Sequence, residues 1–258
     1  MTDNLIDTEW ALGLYAYTSD RPAGAEFQAF HDIVVEVFTQ AGAAPTHIAV
    51  EGEGHTGRAV KFGGTASRKL ADSGFEGIMV LDLTATPKGS DAPGYDRIVS
   101  ASLSFTPPGE VLLCLTMNEG LERLGGDLFR ETVDRLVALR DWSFGMAFAD
   151  TIDRQPDFHV LGIDNGRLSP DDQAALNAWY GAPPEKKTSM VRGVYPVLLL
   201  NPEQRRQPVS GGRSLAEYLE AEGVPVEVRR GDLMMVSIPP EKLEPIRAAL
   251  AGGGVLIT

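Results

Sequence analysis

The residue types best suited to chemistry gather between positions 47 and 57. Gly52-Glu53-Gly54-His55-Thr56-Gly57 is a literal G-x-G-x-x-G that follows a strand-like stretch, Thr46 to Glu51. Where such a loop opens a helix, its glycines let the backbone approach a pyrophosphate at the helix N-terminus. Asp82, after Ile78-Met79-Val80-Leu81, stands near where a ribose-binding acid belongs. Against this chemistry, Glu51 and Glu53 would set carboxylates beside the phosphates. Gly63 and Gly64 interrupt the helix that should supply the dipole, each costing about 1 kcal/mol relative to Ala. The strands that follow pair as hairpins instead of continuing a βαβ pattern. A structural turn is the better reading. A small nucleotide- or dinucleotide-binding enzyme built on Gly52 to Gly57 is the alternative.

His47, Glu51, Glu53 and His55 occupy odd positions of the same segment. In an extended chain they would share one face, with i, i+2 neighbours about 7 Å apart. Two or three could meet on a divalent metal, but Gly52 and Gly54 remove the rigidity such a site needs. An acidic, solvated strand end is expected, with no metal. His31, on a helix, and His159, in an expected strand, lack an H-E-x-x-H partner pattern. No G-x-S-x-G elbow and no G-x-x-x-x-G-K-[ST] loop is present. Asp164-Asn165-Gly166 reads as a turn, because the other acids of a calcium loop are out of register. Cys114 is the only cysteine, which excludes an intrachain disulfide, and its apolar setting Val111-Leu112-Leu113-Cys114-Leu115 marks a buried thiol.

The elements that position these residues follow from periodicity and punctuation. Strands are expected at Trp10 to Thr18, Thr46 to Glu51, Gly77 to Thr84, Tyr95 to Phe105 and Glu110 to Met117, the last two joined across Pro107-Pro108-Gly109. Phe27, Phe30, Val34, Val37, Phe38 and Ala41 recur at helical steps and end at Gly42. A weak helix is expected near Ala59 to Ala71. Another starts at Asp127 and runs through Leu139, with a possible extension to Phe148. In the second half, Phe158 to Ile163 reads as a short strand and Pro183 to Thr188 as a loop. Ser169-Pro170-Asp171-Asp172 and Ser214-Leu215-Ala216-Glu217 are helix starts. Val191 to Leu200 is a strand whose continuous apolar end predicts burial on both faces. Val224 to Arg230 and Leu233 to Ile238 form a hairpin. A closing helix spans about Glu241 to Ala251, and Val255 to Thr258 reads as a last strand. These elements predict an α+β fold of mainly antiparallel sheets with helices packed on them, in two α/β halves meeting near Asp150 to Asp157. One compact body, 1–258, is expected, with a split into 1–155 and 156–258 as the alternative.

Composition narrows the partners. The 258 residues are 43% hydrophobic, enough for a large core, and carry 36 acidic against 23 basic side chains, a net charge of −13. Such a surface repels phosphate backbones and anionic lipid, which argues against nucleic acid and membrane and favours a basic protein partner. Acidic groups beside loops form three rims: Glu51 with Glu53; Asp91 with Tyr95 and Asp96; and Asp150, Asp153 and Asp157. No basic-then-apolar leader opens the chain and no apolar run approaches membrane-spanning length, so a cytoplasmic protein is expected.

The second half carries a family resemblance. Trp142-Ser143-Phe144-Gly145, the capped helix from Ser169, and Arg192-Gly193-Val194-Tyr195-Pro196-Val197-Leu198-Leu199-Leu200-Asn201-Pro202 occur in order. Gly211-Gly212, Ser214-Leu215 with a short helix, and Leu233 to Ile238 before Pro239-Pro240 complete the series. Together, over roughly residues 140 to 258, they resemble immunity proteins encoded beside toxins of type VI secretion and other polymorphic toxin systems. The resemblance implies a cytoplasmic protein without catalysis or cofactor of its own, which binds a cognate toxin domain and blocks its active site. No binding motif transfers from that family. Charge and loop position instead single out Glu51, Glu53, Tyr95 and Asp96 as contact residues for a basic toxin.

Overall fold

The structure, a computed structural model, describes residues 8–87, 97–107, 109–163, 166, 170–209 and 211–257. Its centre is one eleven-stranded sheet. The strands are β1 (Thr8–Tyr17), β2 (His47–Gly52), β3 (His55–Thr56), β4 (Val60–Lys61), β5 (Ile78–Ala85), β6 (Val99–Thr106), β7 (Glu110–Asn118), β8 (Phe144–Thr151), β9 (Val197–Leu200), β10 (Val226–Val228) and β11 (Met234–Ser237). Their order is β10-β11-β9-β8-β1-β7-β6-β5-β2-β3, with β4 also on β2, and every pairing between them is antiparallel. The α+β expectation is met. The ladder runs without a break across the junction of the two halves, because β1 sits between β7 and β8.

Period-two alternation sorts side chains onto two faces, and different helices cover each. On the front, Leu12 and Leu14 of β1, Leu81 and Leu83 of β5 and Leu113 and Leu115 of β7 join one core. Phe27, Phe30, Val34 and Phe38 of α1 (Gly24–Gln40) and Phe129, Val133 and Leu136 of α3 (Asp127–Val137) close it. On the back, Tyr15, Phe144, Met146, Leu198, Leu200, Met234 and Val236 form a second core. Its cover comes from the second half of the chain: α4 (Pro156–Leu161), α5 (Pro170–Gly181), α6 (Pro184–Ser189), α7 (Pro202–Arg206), α8 (Leu215–Ala221) and α9 (Pro240–Gly252). Val160, Trp179, Leu219 and Leu250 are among its buried contributions. The Ser214 start is a capping box: Ser214 Oγ accepts from the Glu217 amide at 3.3 Å, and the Glu217 carboxylate accepts from the Ser214 amide at 2.8 Å.

Several expectations need correction. Phe144 to Thr151 does not extend the helix from Asp127 but forms strand β8, because pairing with β1 and β9 overrides its Ala-containing helix propensity. Phe158 to Ile163 is not a strand. Residues 156–161 form α4, with Pro156 in its first turn and Gly162 closing it at φ 71°. His159 therefore lies on a helix. Pro183 to Thr188 is helical as α6, and Ala59 to Ala71 divides into β4 and the short α2 (Thr65–Asp72). Val191 precedes its strand proper, which starts at Val197, and forms an isolated bridge with Leu256. Ser169, Asp164 and Asn165 lie outside the described residues.

Candidate functional site

Part of the back of the sheet has no helix over it among the described residues. On the back, His47, Ala49 and Glu51 of β2 pair with Thr84, Asp82 and Val80 of β5. These in turn pair with Ser100, Ser102 and Ser104 of β6, and those with Thr116, Cys114 and Leu112 of β7. Helix α4 packs on β7 and β1, and Leu112, Cys114 and Thr116 are buried. Beyond β7 no described helix continues the cover. Ser100, Ser102, Ser104, Asp82 and Thr84 are half-buried and Glu51 is exposed, while the front-facing residues Ile48, Leu81, Leu83, Ala101 and Leu103 are buried. Small polar side chains on one face and aliphatic ones on the other are what a strand with one wet face requires.

Where the cover stops, a charged cluster pins its edge. Arg97 donates to both oxygens of Asp157 on α4, at 2.7 and 2.5 Å, and to Glu9 Oε1 on β1 at 3.1 Å. Burial works against the guanidinium, but Asp157 and Glu9 more than offset it and keep it charged. Burial pushes the Glu9 carboxyl up, and Arg97 opposes that rise. Asp82 is also pushed up by burial; a hydrogen bond with Ser102 opposes the shift and the charge of Glu51 adds to it. Asp82, Arg97, Asp157 and Cys114 line a cavity of about 300 Å³ with Ser100, Ser102 and Thr84. The Cys114 thiol is driven well above its ordinary value by burial, with Asp157 adding to the effect, so it stays protonated at neutral pH.

Along the same face, a larger cavity of about 610 Å³ lies between β6, β7, the end of β1 and the helices α5 and α6. Ser104 and Leu112 belong to its floor, and Leu161 borders both cavities. Lys187 is buried in its wall, with Nζ 5.3 Å from the Tyr17 ring centre, 5.9 Å from Trp179 and 5.6 Å from Tyr180. Its nearest carboxylate oxygen is Glu110 Oε2, at 3.5 Å. Tyr17 pairs with Glu110 across β1 and β7. The Tyr17 hydroxyl is shut off from solvent and has no hydrogen-bond partner among the described residues. Burial, then the neighbouring Glu110 charge, raises its pKa well above the usual phenol range. At the mouth stand Ile163 and Tyr180, exposed by 46% and 43%.

The wall is fixed from behind by Arg192. It donates to Tyr15 Oη at 2.6 Å and to the carbonyls of Val160 at 3.3 Å and His159 at 2.5 Å, both near the C-terminal end of α4. Tyr15 donates to the same Val160 oxygen at 2.6 Å. A cation is favourable at this helix end, where carbonyls lack intrahelical partners.

Of the expected contact residues, Glu51 stands on the outer rim of the open face, where its charge acts on Asp82. Glu53 follows a bulge between Glu51 and Gly52 and sits in the turn of the β2–β3 hairpin, its amide bonded to the Gly77 carbonyl at 3.0 Å. Tyr95 and Asp96 lie outside the described residues. Gly52 to Gly57 is that hairpin, Glu51 pairing with Thr56 and Gly52 with His55, and α2 begins only at Thr65. The strand-to-helix turn of a dinucleotide fingerprint is therefore not formed. A cavity of about 310 Å³ does adjoin the hairpin, floored by Ile48, Val50, Val60 and Leu70 and rimmed by His55, Arg58 and Lys69. Among the described residues no three metal-ligating side chains gather, and His47 Nδ1 is hydrogen-bonded to Thr46 Oγ1 at 2.9 Å. Tyr17, Glu110 and Lys187 were not singled out by motif. The signal for their surroundings was the alternation Ser100-x-Ser102-x-Ser104, which marks a strand with one uncovered face.

Comparison with known proteins adds the fold's kinship. No family model matches the chain. No curated protein matches it by sequence. Among solved structures it is similar to the T6SS protein PA0821 of Pseudomonas aeruginosa, with a TM-score of 0.60 and 13% identity, over 97% of this chain and 73% of that one. At that identity the likeness establishes a shared fold, and it extends through both halves. No helix among the described residues is long and apolar enough to cross a membrane.

Proposed function

We propose that this chain is an immunity protein that binds and neutralises a cognate toxin of a type VI secretion system. The observation that carries the reading is a fold shared over nearly the whole chain with a T6SS protein; in this chain no described helix covers β5 and β6 on the back of the sheet. In this reading the toxin domain supplies that cover, and its active site is blocked by the contact. The net charge of −13 suits a basic toxin, because complementary fields speed encounter and disfavour wrong partners. Glu51, on the rim, is a steering contact, and Glu53, Tyr95 and Asp96 are proposed to extend the acidic approach. The chain works without a cofactor and without catalysis, in the cytoplasm, as one body whose second half buttresses the open face of the first.

The test begins at the gene: a toxin domain should be encoded immediately upstream, and that domain is then co-expressed with this chain. Cells carrying both should grow, and the two proteins should co-purify; intoxication despite full expression, with no complex, removes the reading. A nucleotide site beside Gly52 to Gly57 has one observation in its favour, the cavity with its cationic rim. A thermal shift with NAD(P) that is abolished by Gly54→Asp would establish that rival.

A further inference from the structure

We propose that the cavity bounded by Tyr17, Glu110, Lys187, Tyr180 and Ile163 is the anchor pocket of the toxin interface, and that it receives a neutral amide from the toxin: a main-chain peptide group or an Asn or Gln side chain next to an apolar residue. This rests on the immunity reading and adds the chemistry of the contact.

The pocket's own groups define that chemistry. Glu110 and Lys187 cancel in charge, so an incoming carboxylate meets Glu110 and an incoming ammonium or guanidinium meets Lys187. A neutral group avoids both. Hydrogen-bonding capacity is nevertheless unspent on both sides. Lys187 carries three N–H bonds, and its hydrogen-bond partner among the described residues is Glu110, at the long distance of 3.5 Å. The Tyr17 O–H donates to no described acceptor. An amide matches the set: its N–H donates to Glu110 and its carbonyl accepts from Lys187, and from Tyr17 once the hydroxyl, closed to solvent in the free protein, is uncovered as the toxin enters. The exposed faces of Tyr180 and Ile163 then pack on the neighbouring apolar side chain, as aromatic and apolar anchors do at the centre of interfaces.

A buried hydroxyl without a partner is a cost to the free protein and a gain once a partner arrives. This gives Tyr17→Phe a signature that a purely structural tyrosine does not share. The variant should melt at or slightly above the wild-type temperature. It should also release the toxin domain encoded beside its gene about tenfold faster in surface plasmon resonance, with an unchanged on-rate. Ile163→Asp, at the exposed mouth, should accelerate release at least as much without lowering the melting temperature. Glu51→Gln should instead slow association and flatten its salt dependence. A Tyr17→Phe protein that is clearly destabilised, or variants at Tyr17 and Ile163 that release the toxin at the wild-type rate, would overturn the pocket while leaving the immunity reading in place. Failure of the wild-type chain to bind that domain at all would overturn the immunity reading, and the pocket with it.

Discussion

The back of the sheet divides into two regions built from the same strands. From β1 toward β10 it is sealed: Tyr15 and Phe144 lie with ring centres 6.0 Å apart under Trp179, and helices α4 to α9 complete the layer. From β6 toward β3 the same face carries Ser100, Ser102, Ser104, Thr84 and Asp82, and no described helix crosses it. The two regions differ in side-chain size and polarity, not in backbone pairing, since the ladder is continuous. On the back face burial is therefore concentrated in the sealed region, while the strands of the other are held through their front-facing residues, Leu81, Leu83 and Leu103, in the core under α1 and α3.

Breaking the sealed region should have the largest effect. Phe144→Ala removes a fully buried ring from the middle of the back core and should cost about 3–5 kcal/mol, measured by urea unfolding. Arg192→Met leaves the His159 carbonyl without the guanidinium and weakens the tie between α4 and β1. A loss of about 1–3 kcal/mol is expected, with faster amide hydrogen exchange in α4.

In the open region the effects shrink and one changes sign. Asp82 has its carboxyl raised by burial, so the folded protein holds that proton to a higher pH than the unfolded chain does. Its charge therefore lowers stability above the folded pKa, and this penalty fades as the pH falls through that value to the ordinary aspartate range. Asp82→Asn should raise the melting temperature at pH 7, with the gain vanishing on acidification; a gain that persists in acid would show that burial of the charge is not its cause. Ser104→Ala should change stability by about 0.5 kcal/mol or less, which equilibrium unfolding can set against the Phe144 variant.

Much of this architecture was legible in the chain. The serine–aliphatic alternation of Val99 to Thr106 and the apolar run Val197 to Leu200 already separate a half-wet strand from a doubly buried one. The hairpin at Pro107, the helix of Phe27 to Phe38 and the Ser214 capping box likewise depend on neighbours close in sequence. Errors arose where local preference met a distant demand. Phe144 to Thr151 reads as helix until β1 and β9 are there to pair with it. The residues around Phe158 read as strand although Pro156 and Gly162 punctuate a six-residue helix. Charge led to Glu51 and Glu53, but it gave no means of finding an uncharged feature such as the Tyr17 hydroxyl.

By itself, the sequence determined the type of most elements and which side chains share a strand face, because a period of two fixes that within a few residues. Only the tertiary structure decided which part of the back face the described helices cover. It brought Arg97 to Glu9 and Asp157, and Tyr17 to Glu110 and Lys187, across separations that no local pattern spans. The physical reason is that covering a sheet depends on where long connections dock their helices. That is settled by the packing of the whole core, not by the strand being covered.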